Sequence, residues 1–206
     1  EITMETEEPL RNLQEHIVNA NVYIGCGSIV EALQNGADIV ITGRAADPSL
    51  TVGPCVYEFG WAMDDWDHLA RATVAGHLLE CGMQITGGYY ADPGIKPEVP
   101  HPEINGFPIA IIDEDGVCEI TKLDDAGGLV SRDTVIEQLL YEIQDPHGYI
   151  TPDVIADFSN IEVDCQARVD RKKNGKPMRF LLTIGGAGAQ KEIFAAIIKY
   201  LLPYIK

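Results

Sequence analysis

ITGRAADPSLTVGP, Ile41 to Pro54, decides how this chain is read, because a strand, a turn and a helix start follow one another within it. The run Asp38 to Thr42 has a strand composition and delivers the chain to Gly43, whose missing Cβ permits a sharp turn or the close approach of a ligand. Arg44 follows at once. Asp47-Pro48-Ser49 then reads as a helix start, with Asp47 as the N-cap carboxylate and Pro48 at the first helical position, where its absent N–H costs nothing. Arg44 is thereby predicted beside a helix N-terminus, where backbone N–H groups and the macrodipole favour an anion. Two uses fit these residues. One is an anion-binding loop, holding a ligand through Arg44, Asp47 and Ser49 at the C-terminal end of a strand, where open α/β sheets gather ligands. The other is a capping carboxylate with Arg44 as its ion-pair partner.

Upstream, Pro9 opens a helical pattern in which Leu10, Leu13, Ile17 and Val18 recur on one face, predicting a helix that covers a core. Asn21 to Ile24 reads as a short strand ending in Gly25-Cys26-Gly27-Ser28, and Ser28 is placed to cap a second helix that Gly36 terminates. Strand, glycine turn, helix and the Asp38 to Thr42 strand make a βαβ unit, which predicts parallel pairing with a right-handed crossover. Such pairing would set Gly25, Gly27 and Ser28 beside the Arg44 loop.

Downstream of the Pro48 to Phe59 helix, the stretch Asp67 to Cys81 is apolar nearly all round and reads as a buried helix. Thr73, His77, Glu80 and Cys81 share one of its faces. A buried His and Glu need partners or a polar cavity. They read either as an acid–base pair or as a satisfied structural pair. One His-x-x-Glu without a second copy falls short of a carboxylate-bridged centre, so no metal ligands are assigned. Gln84 to Tyr90 reads as a strand interrupted by Gly87-Gly88, where backbone meets a ligand or another backbone. The five prolines of Asp92 to Pro108 predict an extended loop that could act as a lid. Ile109 to Ile112 and Val117 to Thr121 read as a hairpin across Asp113-Glu114-Asp115-Gly116, and Lys122 to Val130 as a second glycine loop. A packing helix follows, capped by Asp133 or Thr134, with Glu137 completing a Thr-x-x-Glu box.

From Ile161 to Asp170 apolar and polar residues alternate without a break, predicting a strand with one wet face. Asn174-Gly175 turns the chain into Met178, Phe180, Leu182 and Ile184. Gly185-Gly186-Ala187-Gly188-Ala189-Gln190 then feeds a helix, so Gly185, Gly186, Gly188 and Gln190 could cradle a phosphate or serve close helix–strand packing. The dinucleotide fingerprint fails there, because Lys191 stands where the third glycine belongs. These elements predict an α/β class: a mixed sheet, with a parallel βαβ part towards the N-terminus, antiparallel hairpins towards the C-terminus, and helices packed on it. A division into residues 1–158 and 159–206 is expected, the second unit being an appended module or the end of the same domain.

The 206 residues suffice for a substantial core, and a net charge of -17 argues against non-specific binding to nucleic acid or an anionic membrane, which needs clustered Lys and Arg. A small anionic ligand would have to be held locally. The five cysteines show neither a C-x-x-C pair nor zinc-like spacing, so free thiols in a cytoplasmic protein are expected. No apolar run approaches the ~20 residues of a membrane-spanning helix.

The stretches ANVYIGCGSIVEALQNGADIVITGRAADPSL, EFGW (Glu58 to Trp61), ATVAGHLLECGMQITGGYYADP, ITKLDDAGGLV and QLLYEIQDPHGYITPDVIADF occur in order between Asn21 and Phe158. Together they resemble the AtuA-like family, named for acyclic terpene utilisation. The resemblance implies a role in the bacterial breakdown of branched or terpenoid acids handled as coenzyme A thioesters. It also implies an upstream, glycine-rich part that this chain lacks, so that a site shared with that part would be incomplete here. The segment after Asp170 fits the family less closely. Read with the residues, the resemblance points to an enzyme of hydratase or lyase type with coenzyme A as part of the substrate; no cofactor is assigned. Arg44 and the Pro48 helix would hold a carboxylate or phosphate. The Gly25 to Ser28 and Gly87-Gly88 turns would offer backbone N–H groups, and His77 with Glu80 would supply acid–base chemistry. The alternatives are a non-catalytic subunit or scaffold, and a nucleotide-sugar or phosphate-binding module at Gly185 to Gln190. A homo-oligomer or a partner subunit is expected.

Overall fold

Helix α3 (Trp66–Glu80) carries the core on several sides, in a computed structural model that describes residues 7–90 and 92–164. Asp65 starts it, its carboxylate accepting the His68 N–H at 3.4 Å and lying 2.7 Å from His68 Nδ1. Along the helix Leu69, Ala72, Ala75, Leu78 and Leu79 are buried, and the Thr73 hydroxyl is satisfied by the Leu69 carbonyl at 2.8 Å. The other helices are α1 (Gly27–Gln34), α2 (Ser49–Phe59) and α4 (Arg132–Leu139). Helix α2 lies against both α1 and α3, and glycines make both contacts possible. A Cβ at Gly53 would come within 2.8 Å of Ile29, and one at Gly76 within 2.6 Å of the Pro48 Cα.

Two small antiparallel sheets accompany the helices. Strands β1 (Ile109–Ile112) and β2 (Cys118–Thr121) pair with Ile109 opposite Thr121 and Ile112 opposite Cys118. Their turn is built by Asp113, whose carboxylate accepts the N–H groups of Asp115 and Val117, and by Gly116 at φ 77°. Strands β3 (Tyr149–Ile150) and β4 (Ile155–Ala156) form a second hairpin. At its tip the Thr151 hydroxyl accepts the Asp153 and Val154 N–H groups at 3.2 and 3.0 Å. Helices with small antiparallel sheets agree with an α/β class in the coarse sense.

The expected parallel βαβ unit is reduced to one bridge. Ile24 pairs in parallel with Ala45, through Ile24 N–H to the Arg44 carbonyl at 2.9 Å and Ala46 N–H to the Ile24 carbonyl at 3.0 Å. Neither Asn21 to Ile24 nor Asp38 to Thr42 is otherwise a strand. A parallel strand is stable when both faces are covered. Here Val22 is 83% and Ile41 70% exposed, so the burial their composition calls for is absent among the described residues.

Other expectations are corrected locally. Leu10 to Val18 is not a packed helix but two short 3-10 turns, Leu10–Asn12 and Gln14–His16, with Val18 fully exposed. Gln84 to Tyr90 is a series of turns, because Gly82 and Gly87 adopt φ of 56° and 111° and curl the chain out of any strand. Helix α1 starts at Gly27 behind Cys26, which puts Ser28 inside the first turn rather than at the cap. Helix α2 starts at Ser49 with Pro48 as its N-cap, so Asp47 precedes the cap and its side chain closes no N-terminal N–H. Helix α4 is capped by Ser131 in a reciprocal box with Thr134, while Glu137 instead pairs with Lys96 at 2.6 Å. Ile161 to Asp164 forms no strand, and the remainder of that alternating run, the Asn174-Gly175 turn and the Gly185 to Gln190 loop lie outside the described residues. No helix among the described residues is long and apolar enough to cross a membrane.

Candidate functional site

The single parallel bridge brings the Gly25 to Ser28 turn alongside the segment that runs from Arg44 into α2. Two helix starts thus lie side by side, and the β3–β4 hairpin inserts its tip between them. One Asp153 carboxylate oxygen accepts the Cys26 N–H at 2.7 Å, and the other accepts the Ser49 hydroxyl at 2.5 Å. Cys26 and Ser49 are both fully buried. A side chain at Gly25 would collide with the Asp153 carboxylate, which explains the glycine at that position. The anion that two helix N-termini attract is therefore supplied here from within the chain. Burial, followed by the charge of Asp153, pushes the Cys26 thiol up to about 12. Asp153 was not singled out from sequence. Its signal is the Thr151-Pro152-Asp153 turn, and nothing in the spacing says that this turn reaches residues more than a hundred positions earlier.

Arg44 stands apart from that carboxylate. Its guanidinium donates to the Tyr23 hydroxyl at 3.0 Å and lies 5.3 Å from the centre of the same ring. Among the described residues no carboxylate lies within 4.0 Å of it, so Asp47 is not its direct ion-pair partner. Gly27, Ser28 and Asp47 are exposed as residues, beside the buried Ser49. Asp47 nevertheless has its carboxyl pushed above the ordinary range, by desolvation first and then by the charges of Glu80 and Glu142, with Arg44 pulling the other way.

The sign of the stability effect follows. A carboxyl raised by folding favours the native state while protonated, and that contribution is lost as pH rises from the ordinary 3.8 through the native midpoint. Asp47→Asn is therefore expected to stabilise the protein at neutral pH and to leave it unchanged near pH 3. Thermal midpoints measured across pH 3 to 7 check this.

His77 and Glu80 occupy the last turns of α3. His77 is fully buried, and its Nε2 donates to the Gln138 carbonyl at 3.0 Å while the Gln138 side-chain amide donates back to the His77 carbonyl at 3.2 Å. This reciprocal pair locks α3 to α4. The Tyr149 and Phe158 rings close over the imidazole edge-on, 5.3 and 5.5 Å from its centre. On the other side Nδ1 lies 3.3 Å from Glu80 Oε1 without the alignment of a hydrogen bond, and it has no other partner. Glu80 is the more accessible of the two, its side chain 9% exposed against 1% for His77. His77→Gln is expected to lower stability by about 1 to 3 kcal/mol, the range for disturbing a buried polar pair, as read from denaturant unfolding.

Gly87 and Gly88 serve a different purpose. Their N–H groups bond to the Gln84 and Met83 carbonyls at 3.1 and 3.0 Å, and the two glycines face Val99 and the Met83 carbonyl closely. These donors are engaged within their own turn. Among the described residues no group of three or more His, Cys, Asp or Glu is placed to hold a metal ion.

A family model described as acyclic terpene utilisation family protein AtuA matches residues 1–172. A second, described as a domain of unknown function (DUF6938), matches residues 147–206, so the two overlap across the β3–β4 hairpin. No curated protein and no solved structure matches the chain.

Proposed function

The chain belongs to the acyclic terpene utilisation (AtuA) family, and on that premise we propose that it is an enzyme of branched or terpenoid acid breakdown acting on an acyl-coenzyme A or a related anionic acid. The observation that carries the reading is Arg44. In a chain of net charge -17, an exposed guanidinium held by a tyrosine and met by no carboxylate within ion-pair distance among the described residues is a ready grip for a carboxylate or phosphate. It lies at the entrance to helix α2, near the acidic end of α3. Glu80, backed by His77, would carry a proton to or from the carbon next to the bound carbonyl, as a hydratase or lyase step requires. Coenzyme A enters as part of the substrate.

Arg44→Ala is expected to weaken binding of an acyl-coenzyme A at least tenfold while changing stability by less than about 0.5 kcal/mol, since the side chain is exposed. Calorimetric titration and thermal unfolding on the same samples test it. Unchanged affinity would sink the reading. A second reading, a non-catalytic subunit of the same pathway, is favoured by Asp153, which fills the two helix N-termini from within the chain. Wild-type protein that binds no thioester but co-purifies with a partner enzyme would support it.

A further inference from the structure

A broad apolar surface lies on the two segments whose composition calls for strands. Val18, Val22, Tyr23 and Ile24 on one arm, and Ile39 and Ile41 on the other, all stand exposed. The Ile24–Ala45 bridge and the bond from Arg44 to the Tyr23 hydroxyl bring the two arms together. At about 150 to 250 Å² for a large residue in full view, their exposed fractions amount to roughly 800 Å². The largest apolar patch of a typical monomer covers about 300 to 600 Å², whereas roughly 800 Å² is what each partner buries in a standard-size complex. The backbone there is as unoccupied as the side chains. Among the described residues, neither 17–22 nor 38–42 takes part in a backbone–backbone hydrogen bond. Open N–H and C=O groups beside apolar side chains are a template for pairing with another chain.

Charge decides what fits there. With a net charge of -17, two copies of this chain repel one another over most of their surface. Yet residues 17–30 and 39–43 contain no Lys, Arg, Asp or Glu. A face without charge meets its own copy without opposing like charges. Its apolar side chains and its open donors and acceptors are complementary to themselves, as a twofold pair demands. We propose that this face docks a second copy of the chain, the two copies pairing their exposed segments about a twofold axis. The roughly 800 Å² on each copy is the area such a pair needs. The inference is independent of the thioester reading, and Arg44 stands at the border of the face through its bond to Tyr23. Salt gives the pairing a sign. Screening relieves the repulsion between two acidic copies and leaves apolar contact intact, so association tightens as ionic strength rises, where an interface of ion pairs would loosen.

Sedimentation velocity of the full chain, from low to high micromolar concentration and at about 0.05 and 0.5 M salt, tests the proposal. A dimer should appear as concentration rises, and more readily at the higher salt. Val22→Lys and Ile41→Lys should each raise the dimer Kd at least tenfold, because each buries an unpaired charge in the pair, and the double variant should stay monomeric. Leu123→Lys, at an exposed apolar residue outside the face, should leave the Kd unchanged. Both lysines replace exposed side chains, so the thermal midpoint of the monomer should hold. Val18→Lys, at a fully exposed position, serves if either variant folds poorly. In hydrogen exchange the amides of residues 17–22 and 38–42 should become protected as concentration rises. A wild-type chain that is monomeric throughout overturns the second copy as occupant. Protection of those amides at every concentration would then assign the face to another segment of the same chain, and free exchange would assign it to a different protein. A dimer that loosens with salt, or one that the lysine variants leave intact, overturns the proposal as well.

Discussion

Gly76→Ala is expected to cost about 2 kcal/mol of stability and to lower the thermal midpoint by roughly 4 to 8 °C. Helix propensity alone predicts the opposite, since alanine in a helix interior is about 1 kcal/mol better than glycine. The new methyl would stand 2.6 Å from the Pro48 Cα and 2.7 Å from its carbonyl oxygen. Backbone at the start of a helix cannot swing aside as a side-chain tip can, so α2 must lift away from α3. Overpacking of this kind costs about 1 to 3 kcal/mol and more when backbone has to move, which outweighs the propensity gain. Gly27→Ala is the control, because a Cβ there meets nothing within 4 Å. A Gly76→Ala protein as stable as wild type would mean that α2 and α3 do not touch at this point. Lifting α2 would also draw Ser49 away from Asp153 and shift the Arg44 loop that leads into the helix, so the same change is expected to weaken ligand binding.

Asp153→Ala has the second large expected effect, a loss of about 2 to 4 kcal/mol in denaturant unfolding. It strands two buried donors, the Cys26 N–H and the Ser49 hydroxyl, at the junction of α1 and α2. Asp153→Asn retains one acceptor and should lose about half as much. A chemical signature accompanies the stability change. Burial is the first cause holding the Cys26 thiol at about 12, and Asp153 adds charge and a hydrogen bond to it. Removing the carboxylate takes away both of the latter. Cys26 in the variant should therefore react with a thiol reagent at pH 8 several-fold faster than in wild type under native conditions. Equal labelling rates together with unchanged stability would show that the hairpin tip does not seat between the two helices.

Much of the local structure was legible in the residues themselves. The β1–β2 hairpin appears where Asp113 to Gly116 put it, shortened by one residue at Val117, because an Asx turn and a glycine at positive φ determine the geometry locally. Helix α3 follows from a stretch that is apolar nearly all round, and the family follows from ordered motifs spread over most of the chain. The side-by-side placement of the Gly25 turn and the Arg44 loop was also read from the strand pattern, although a single bridge realises it.

What only the tertiary structure decided is the use to which those turns are put. The Gly25 to Ser28 turn looks like an anion cradle because glycines and a helix start determine its donors. Which anion it meets depends on a hairpin tip more than a hundred residues away. His77 and Glu80 share a helix face by spacing alone. That His77 is sealed by Gln138, Tyr149 and Phe158, leaving Glu80 the accessible member, is fixed by the packing of α4 and the second hairpin. The βαβ unit differs from expectation for the same reason. Strand composition specifies burial on two faces, and burial is a property of neighbours, which a local pattern can request but not supply.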